Sequence, residues 1–159
     1  QSGSIAFVGR LEPRKGIIEW VEACARVAPR YPEARFDFVG ADVWDLAADF
    51  RQRLGSELAP RFRFHGQKPR EQIATILAGA CAAAVPSRWE NFPNVCIEAM
   101  AGGLPVIATR YGGMEEMVED GQTGWLAEDL GIGGMVPSLA AALERCLQAS
   151  GEERARMGA

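Results

Sequence analysis

The sequence predicts an α/β fold of the Rossmann-like, doubly wound type, in which helices flank a mainly parallel sheet. Short apolar runs with strand-like composition alternate with longer runs at helical spacing along the 159 residues. The run at 82–85, Ala-Ala-Ala-Val, is apolar on both faces, which is typical of a parallel strand covered by helices. Charged and polar residues follow the strands, at the edge where such sheets bind ligands.

Strands and helices can be placed in order from this pattern. Strands are predicted at 4–8, 35–39, 61–64, 82–85, 106–109 and 124–126. Helices are predicted at 16–30, 44–58, 70–78, 94–101, 114–119 and 137–149, with a short charged helix at 151–159. In the first helix, Ile17, Val21, Cys24 and Ala28 recur at helical spacing with charges between them, which indicates an amphipathic helix with one buried face.

Length and composition indicate a single domain over residues 1–159. Hydrophobic residues make up 48% and charged residues 24% of the chain, which are ordinary globular values. The net charge of −4 argues against nucleic-acid binding by a broad basic face. No apolar run approaches the roughly 18 residues of a membrane-spanning helix, and no signal peptide is recognised.

The cysteines, the histidine and the tryptophans are interpreted as structural groups. The four cysteines form no C-x-x-C pair and are predicted to be buried, reduced thiols, which favours the cytoplasm: Cys24, Cys81, Cys96 and Cys146. No cluster at metal-ligand spacing is visible, so no metal site is predicted. His65 receives no catalytic role. The four tryptophans are predicted to pack in the interior, with Trp89 alone considered near a site: Trp20, Trp44, Trp89 and Trp125.

The stretch VPSRWENFPNVCIEAMAGGLPVIATRYGG at 85–113 carries the most informative chemical pattern. Two carboxylates, Glu90 and Glu98, are separated by seven residues. Pro93 between them favours a helix start, and the free N–H groups of a helix start attract phosphate. Carboxylates accept hydrogen bonds from hydroxyls. The layout therefore suits a ligand that carries phosphate in its middle and hydroxyls at its ends.

A second pattern follows the first predicted strand. Gly9 allows a sharp turn, and two long cations, Arg10 and Lys15, precede Gly16 and the first helix. Such cations can converge on a diphosphate and stabilise a departing nucleoside diphosphate. On spacing alone, a solvated basic loop is slightly favoured over a diphosphate site. Arg14 between them is interpreted as a surface charge.

Three segments together resemble the retaining GT-B glycosyltransferases of the group 1 family (family 4 type), in their C-terminal, nucleotide-sugar-binding domain. The first segment is VGRLEPRKG at 8–16. The second contains Glu90 and Glu98, the small-residue run AMAGG and the strand PVIAT. The third runs from MEE at 114–116 to GQTGWL at 121–126. The combination covers most of the chain and is more specific than any one segment.

The resemblance implies a role for each motif residue. Arg10 and Lys15 would contact the donor diphosphate, and with Glu90, which would face the donor sugar, they form the expected catalytic set. Glu98 would hold the ribose hydroxyls. The other expected donor-binding positions act largely through backbone groups: Asn91, Phe92, Pro93, Asn94, Val95, Gly66, Gln67 and Lys68. The first three would line the sugar pocket, the next two would bind phosphate, and the last three would meet the base. Asn91 departs from the family pattern, where many members have glycine.

The resemblance also implies what surrounds this domain. A complete GT-B enzyme has two such domains, so the chain is expected to be a fragment that lacks the N-terminal acceptor domain and is inactive alone. Its ligand would be a nucleoside-diphosphate sugar, with no further cofactor required. Transfer of a hexose with retention, to a sugar, lipid or other hydroxyl acceptor, would need the missing domain. A location at the cytoplasmic face of a membrane, by peripheral association of the whole protein, stays open.

Three alternative functions compete with this interpretation. A non-catalytic nucleotide-sugar-binding module would bind the same ligand without transfer. A GT-B-fold nucleotide-sugar epimerase would share the fold, although the spacing of Glu90 and Glu98 argues against it. A dinucleotide-dependent dehydrogenase should carry G-x-G-x-x-G after the first strand, whereas this chain has GRLEPR at 9–14.

Overall fold

The computed structural model describes residues 3–90, 93–128 and 134–159. Within these residues, six parallel strands form one sheet in the order β3-β2-β1-β4-β5-β6. The strands are β1 Ser4–Val8, β2 Arg35–Val39, β3 Phe62–Gly66, β4 Ala80–Val85, β5 Val106–Thr109 and β6 Gly124–Ala127. The predicted Rossmann-like, doubly wound fold is confirmed.

Helices cover both faces of the sheet. The described helices are α1 Ile17–Val27, α2 Leu46–Leu58, α3 Arg70–Ala78, α4 Asn94–Ala101, α5 Met114–Met117, α6 Met135–Gln148 and α7 Gly151–Gly158. One core cluster joins α1, α2 and α6 to the strand face that carries Phe7, Phe36 and Phe38. A second, smaller cluster joins α4 and α5 to the opposite face. No helix in the described ranges is long and apolar enough to cross a membrane.

The strand order creates a crevice between β1 and β4. The chain runs outward from β1 through β2 to β3, and then returns to the other side of β1 as β4. The loops that follow β1 and β4 therefore leave the sheet in opposite directions. In doubly wound sheets the ligand binds at this switch point, outside the carboxyl ends of the strands.

All the predicted elements are present, but several of their bounds differ from the prediction by up to three residues. Strand β3 extends through Gly66, whereas it was predicted to end at Phe64. Helix α2 begins at Leu46 rather than at Trp44, because the Asp42 carboxylate accepts hydrogen bonds from the N–H groups of Leu46 and Ala47. Gly55 leaves helical geometry at φ 72° and kinks α2.

The tryptophan prediction is correct for two residues and wrong for two. Trp20 and Trp125 are buried. Trp44 is 63% exposed and Trp89 is 58% exposed. Both exposed residues lie on loops at the carboxyl edge of the sheet rather than on a core-facing helix, so hydrophobic character alone misplaced them.

The cysteines are free thiols, as predicted, but their burial is not uniform. Cys24, Cys96 and Cys146 are buried, and Cys81 at the start of β4 is half-buried. Burial raises the pKa of the Cys24 thiol and raises that of Cys96 to about 11. Burial therefore keeps the thiols of these two cysteines protonated at neutral pH.

Asp120 ties the turn before β6 to helix α6. Its carboxylate accepts a hydrogen bond from the N–H of Leu126 at 2.8 Å and from Nη1 and Nη2 of Arg145 at 2.9 and 3.2 Å. Burial acts to raise the pKa of Asp120. The hydrogen bonds from Arg145 and Leu126, with the charges of Arg145 and Arg110, outweigh burial and lower this pKa below its ordinary value.

We expect Asp120→Asn to lower the free energy of unfolding at neutral pH and to flatten its decline in acid. Because the pKa is lower in the folded than in the unfolded chain, the Asp120 carboxylate stabilises the fold above the unfolded pKa of about 3.9. This contribution is lost as the pH falls through the folded pKa. Urea titrations from about pH 7 down to about pH 2 measure both effects.

The matched control for Asp120 is Glu22→Gln, which removes an exposed glutamate paired with Arg26 on α1. Exposed helical ion pairs contribute little to stability. The free energy of unfolding of Glu22→Gln should therefore stay close to that of the unsubstituted chain at both neutral and acid pH. An acid decline in Asp120→Asn as steep as in the unsubstituted chain would contradict the assignment.

Candidate functional site

A cavity of about 230 Å³ lies at the switch point between β1 and β4. The strand ends form its apolar wall, and the start of α4 closes one side. Its polar lining comes from the loops after β1 and β4 and from the first residue of α4: Lys15, Ser87, Glu90 and Asn94. We call this space the switch-point cavity.

Lys15 and Glu90 meet inside this cavity. The Lys15 ammonium donates a hydrogen bond to Oε1 of Glu90, and the two residues are 75 positions apart in sequence. Ser87 Oγ donates to the same carboxylate oxygen at 3.2 Å. The side chains of Lys15 and Glu90 are 24% and 14% exposed, so water screens their charges only in part. Each of the two side chains therefore neutralises the charge of the other.

Direct contacts between the two loops bring these residues together. The Arg88 N–H donates to the Arg14 carbonyl at 3.0 Å. Gly16, at φ +71°, packs so closely on the Pro86 carbonyl that a Cβ atom at this position would overlap it. A residue with a side chain would therefore push the β1 and β4 loops apart. The arginine side chain of Arg88 also pairs with Glu19 of α1.

The turn after β5 supports Glu90 from the other side. The Gly113 N–H donates to the Glu90 carbonyl at 2.9 Å, and a Cβ on Gly112 would overlap that carbonyl. Thr109 Oγ1 donates to the Ser87 carbonyl at 2.6 Å. Gly112 and Gly113 therefore form a turn that holds the backbone of Glu90.

Sequence reasoning missed Ser87 and Thr109, and it did not predict the contacts that Gly16 and Gly112 make with other loops. Ser87 and Thr109 are small polar residues directly after or at the end of apolar strands, and both are buried. That position in a parallel sheet is a usable signal. The roles of Gly16 and Gly112 depend on close approach of distant loops, which spacing in sequence does not reveal.

Other predicted site residues lie around the switch-point cavity. Pro93, Asn94 and Val95 line it at the start of α4, where the first N–H groups of a helix have no partner within the helix. Arg10 is exposed, and its Nε lies 4.0 Å from Oε2 of Glu12. Asn91 and Phe92, both predicted to line the sugar pocket, lie outside the described residues.

Glu98 is not in the switch-point cavity. It is exposed and lines a separate groove of about 400 Å³ between α3 and α4, which we call the α3–α4 groove. Gly66 ends β3 at φ +73°, and Gln67 and Lys68 lead from it to α3. The residues predicted to contact the ribose and the base therefore do not line the switch-point cavity that holds Lys15 and Glu90. In the described part of the chain, no three His, Cys, Asp or Glu side chains are grouped as metal ligands.

Comparison with known proteins decides the family. The family model "Glycosyl transferases group 1" matches residues 2–149. The chain belongs to this family. Curated relatives of the group 1 chain include the D-inositol 3-phosphate glycosyltransferases of Corynebacterium glutamicum (strain R) and Corynebacterium efficiens, which are 33% and 35% identical over 159 residues. The match covers 97% of the chain and 37% and 36% of these relatives, so the chain spans little more than a third of their length.

Solved structures place the group 1 chain among GT-B glycosyltransferases. HepE from Anabaena in complex with UDP is 27% identical, with a TM-score of 0.83 over 99% of this chain and 42% of that chain. The structure of the same protein in complex with UDP-glucose is 26% identical, with a TM-score of 0.78 over 99% of this chain and 42% of that chain. The C-terminal domain of a group 1 family protein from Francisella tularensis shows the same fold at 23% identity, with a TM-score of 0.84 and 98% and 80% coverage.

Proposed function

We propose that this chain is the donor-binding domain of a retaining glycosyltransferase that uses a UDP-sugar. The observation that carries the proposal is the meeting of Lys15 and Glu90 in the switch-point cavity, beside the start of α4. A cation and helix N–H groups suit a diphosphate, and a neighbouring carboxylate suits sugar hydroxyls. The choice of UDP is supported by HepE, whose structures contain UDP and UDP-glucose.

In this proposal the diphosphate lies at the first N–H groups of α4, and Lys15 and Arg10 bind it from the β1 loop. An acceptor hydroxyl attacks the anomeric carbon on the face from which the diphosphate departs, the bond from that carbon to the diphosphate oxygen breaks, and the hydroxyl proton passes to an oxygen of the leaving diphosphate. Negative charge then accumulates on the leaving diphosphate. Fixed cations and helix N–H groups stabilise that charge without rearrangement at the moment of reaction.

Glu90 binds the transferred hexose from the loop after β4. Gly113 holds the backbone of Glu90, and Ser87 holds its carboxylate. The Glu90 side chain is therefore already oriented before the sugar binds. Lys15 must leave Glu90 to reach the diphosphate, and Glu90 becomes free to accept from sugar hydroxyls. Ligand binding therefore exchanges one internal ion pair for two contacts with the donor.

The nucleoside part extends toward the α3–α4 groove. Glu98 on α4 accepts hydrogen bonds from the ribose hydroxyls, and the backbone of residues 66–68 meets the base. The acceptor is bound by a part of the enzyme other than this donor domain. In support, the chain matches only a little more than a third of the length of its relatives. The acceptor is a hydroxyl compound, and transfer requires that second part.

We expect UDP to raise the melting temperature of this chain more than GDP, ADP or NAD does at equal, millimolar concentration. A ligand that binds only the folded state stabilises it in proportion to the logarithm of its concentration over Kd. Glu98→Ala should weaken UDP binding by roughly ten- to a hundredfold, since hydrogen bonds to a charged group contribute about 1.5–3 kcal/mol. Isothermal titration measures that loss directly.

Glu57→Ala, which removes an exposed glutamate of α2, is the matched control and should leave UDP affinity unchanged. Stabilisation by NAD alone would overturn the proposal and favour a dehydrogenase. Equal UDP affinity in Glu98→Ala and in the unsubstituted chain would remove the ribose role of Glu98 while leaving the diphosphate site intact.

A further inference from the structure

We propose that the hydrogen bond between His65 and Asp37 positions residues 66–68, and thereby sets the affinity of the domain for the nucleoside part of its ligand. The inference rests on the proposed function, in which the backbone of these residues meets the base. His65 is a positioning residue in this proposal, because it acts through the loop and does not touch the ligand.

Asp37 is a buried carboxylate in the middle of β2. It is 3% exposed, and its two oxygens have partners on the neighbouring strand β3. Arg63 donates from Nε to Oδ1 and from Nη2 to Oδ2, each at 2.9 Å. His65 Nε2 lies 2.7 Å from Oδ1. An ionised carboxylate only accepts hydrogen bonds, so His65 donates through Nε2–H.

The arginine alone satisfies the charge of Asp37. A bidentate guanidinium–carboxylate pair neutralises the acid and occupies both of its oxygens. The additional bond from His65 is therefore not needed to bury the carboxylate. Its distinguishing property is its place in the chain, immediately before Gly66.

His65 is the extra residue of a β-bulge. Phe38 of β2 pairs with Phe64, but the next residue, Val39, pairs with Gly66, so His65 has no counterpart across the ladder. Bulges redirect the strand that carries the extra residue. The Gly40 N–H then donates to the Gly66 carbonyl at 2.9 Å, and Gly66 turns the chain at φ +73°. The side chain of His65 is thus anchored at the point where β3 changes direction.

Two anchors fix the start of the loop. The backbone anchor is the bond from Gly40 to Gly66, and the side-chain anchor is the bond from His65 to Asp37. With only the backbone anchor, the bulge can rotate about Gly66, and residues 67 and 68 lose a defined position. The switch-point cavity lies at β1 and β4, on the far side of β2 from β3, so its diphosphate contacts should not change.

The test compares UDP with pyrophosphate on the chain of residues 1–159. We expect His65→Ala to raise the Kd for UDP by about tenfold, as loss of one defined binding contact does, and to leave the Kd for pyrophosphate unchanged. His65→Gln, whose side-chain N–H can reach the Asp37 carboxylate, should restore most of the UDP affinity. Titration calorimetry well below the melting temperature of each variant measures both constants.

Arg63→Met is the matched control, because Arg63 shares the Asp37 carboxylate but lies within the regular part of β3. Arg63→Met should lower the melting temperature and leave the Kd for UDP unchanged. If Asp37, Arg63 and His65 only stabilise the fold, Arg63→Met and His65→Ala should instead change the Kd for UDP equally. Unchanged UDP affinity in His65→Ala, or an equal loss for UDP and pyrophosphate, would overturn this inference alone. Absence of UDP binding by the unsubstituted chain would overturn the proposed function and this inference with it.

Discussion

Gly16→Ala is expected to destabilise the domain by about 2–5 kcal/mol and to abolish measurable UDP binding. Gly16 has φ +71°, which disfavours a residue with a Cβ by roughly 1–2 kcal/mol. The added atom would also overlap the backbone carbonyl of Pro86, which cannot rotate away as a side-chain end can. Forced shifts in a packed region cost about 1–3 kcal/mol more. Separation of the two loops would move Lys15 away from the start of α4, where the diphosphate is proposed to bind.

Gly55→Ala separates backbone strain from the steric effect. Gly55 has φ +72°, nearly the value at Gly16, but no atom lies within 4 Å of a Cβ built there. This variant should lose only about 1–2 kcal/mol and bind UDP normally. Urea unfolding and calorimetry on both variants give the comparison. Equal destabilisation of the two would show that contact between the β1 and β4 loops does not hold the site together.

Lys15→Ala and Glu90→Gln are expected to change UDP affinity in opposite directions. Lys15→Ala removes the proposed charge-assisted contact with the diphosphate, and should weaken UDP binding by roughly ten- to a hundredfold. Glu90→Gln removes the internal competitor for the ammonium, so Lys15 no longer has to break an ion pair. UDP should then bind about three- to tenfold more tightly, which corresponds to about 1 kcal/mol.

The double variant makes the coupling measurable. In a chain that already carries Lys15→Ala, Glu90→Gln should no longer tighten UDP binding. The effect of Glu90→Gln on the free energy of UDP binding with Lys15 present, minus its effect with Lys15 absent, gives the interaction free energy of the pair. Arg14→Ala is the matched cation control, because Arg14 lies on the same loop, is exposed and pairs with Glu12 instead. Weaker UDP binding in Glu90→Gln would show that Glu90 supports the diphosphate contact rather than competing for it.

The fold was predictable because its signals are local. β1, β2, β5, α3 and α4 have the predicted bounds, since each is a short apolar run or a periodic run ended by glycine, proline or a charged residue. The family followed from motifs whose residues are contiguous. Errors arose where a side chain competed with the pattern, as at Asp42, whose carboxylate moves the start of α2 past Trp44.

The site was predictable only in part, because its geometry is not local. The positions of Lys15 and Glu90 at strand ends could be read from the sequence, but their ion pair could not. Glu90 and Glu98 share one motif, yet α4 separates their side chains into the switch-point cavity and the α3–α4 groove. The bulge at His65 was invisible as well, because a register shift depends on the partner strand.

The ion pairs around the switch-point cavity have a consequence for the kinetics of ligand capture. Each cation on the two loops already has an acidic neighbour: Arg10 and Arg14 with Glu12, Lys15 with Glu90, and Arg88 with Glu19. The chain as a whole is also negative, at −4. An incoming diphosphate is therefore not drawn over long distances, and its association rate should depend little on ionic strength. A nucleotide sugar would compensate for the broken ion pair better than a small anion does, because its sugar hydroxyls can replace Lys15 as the partner of Glu90.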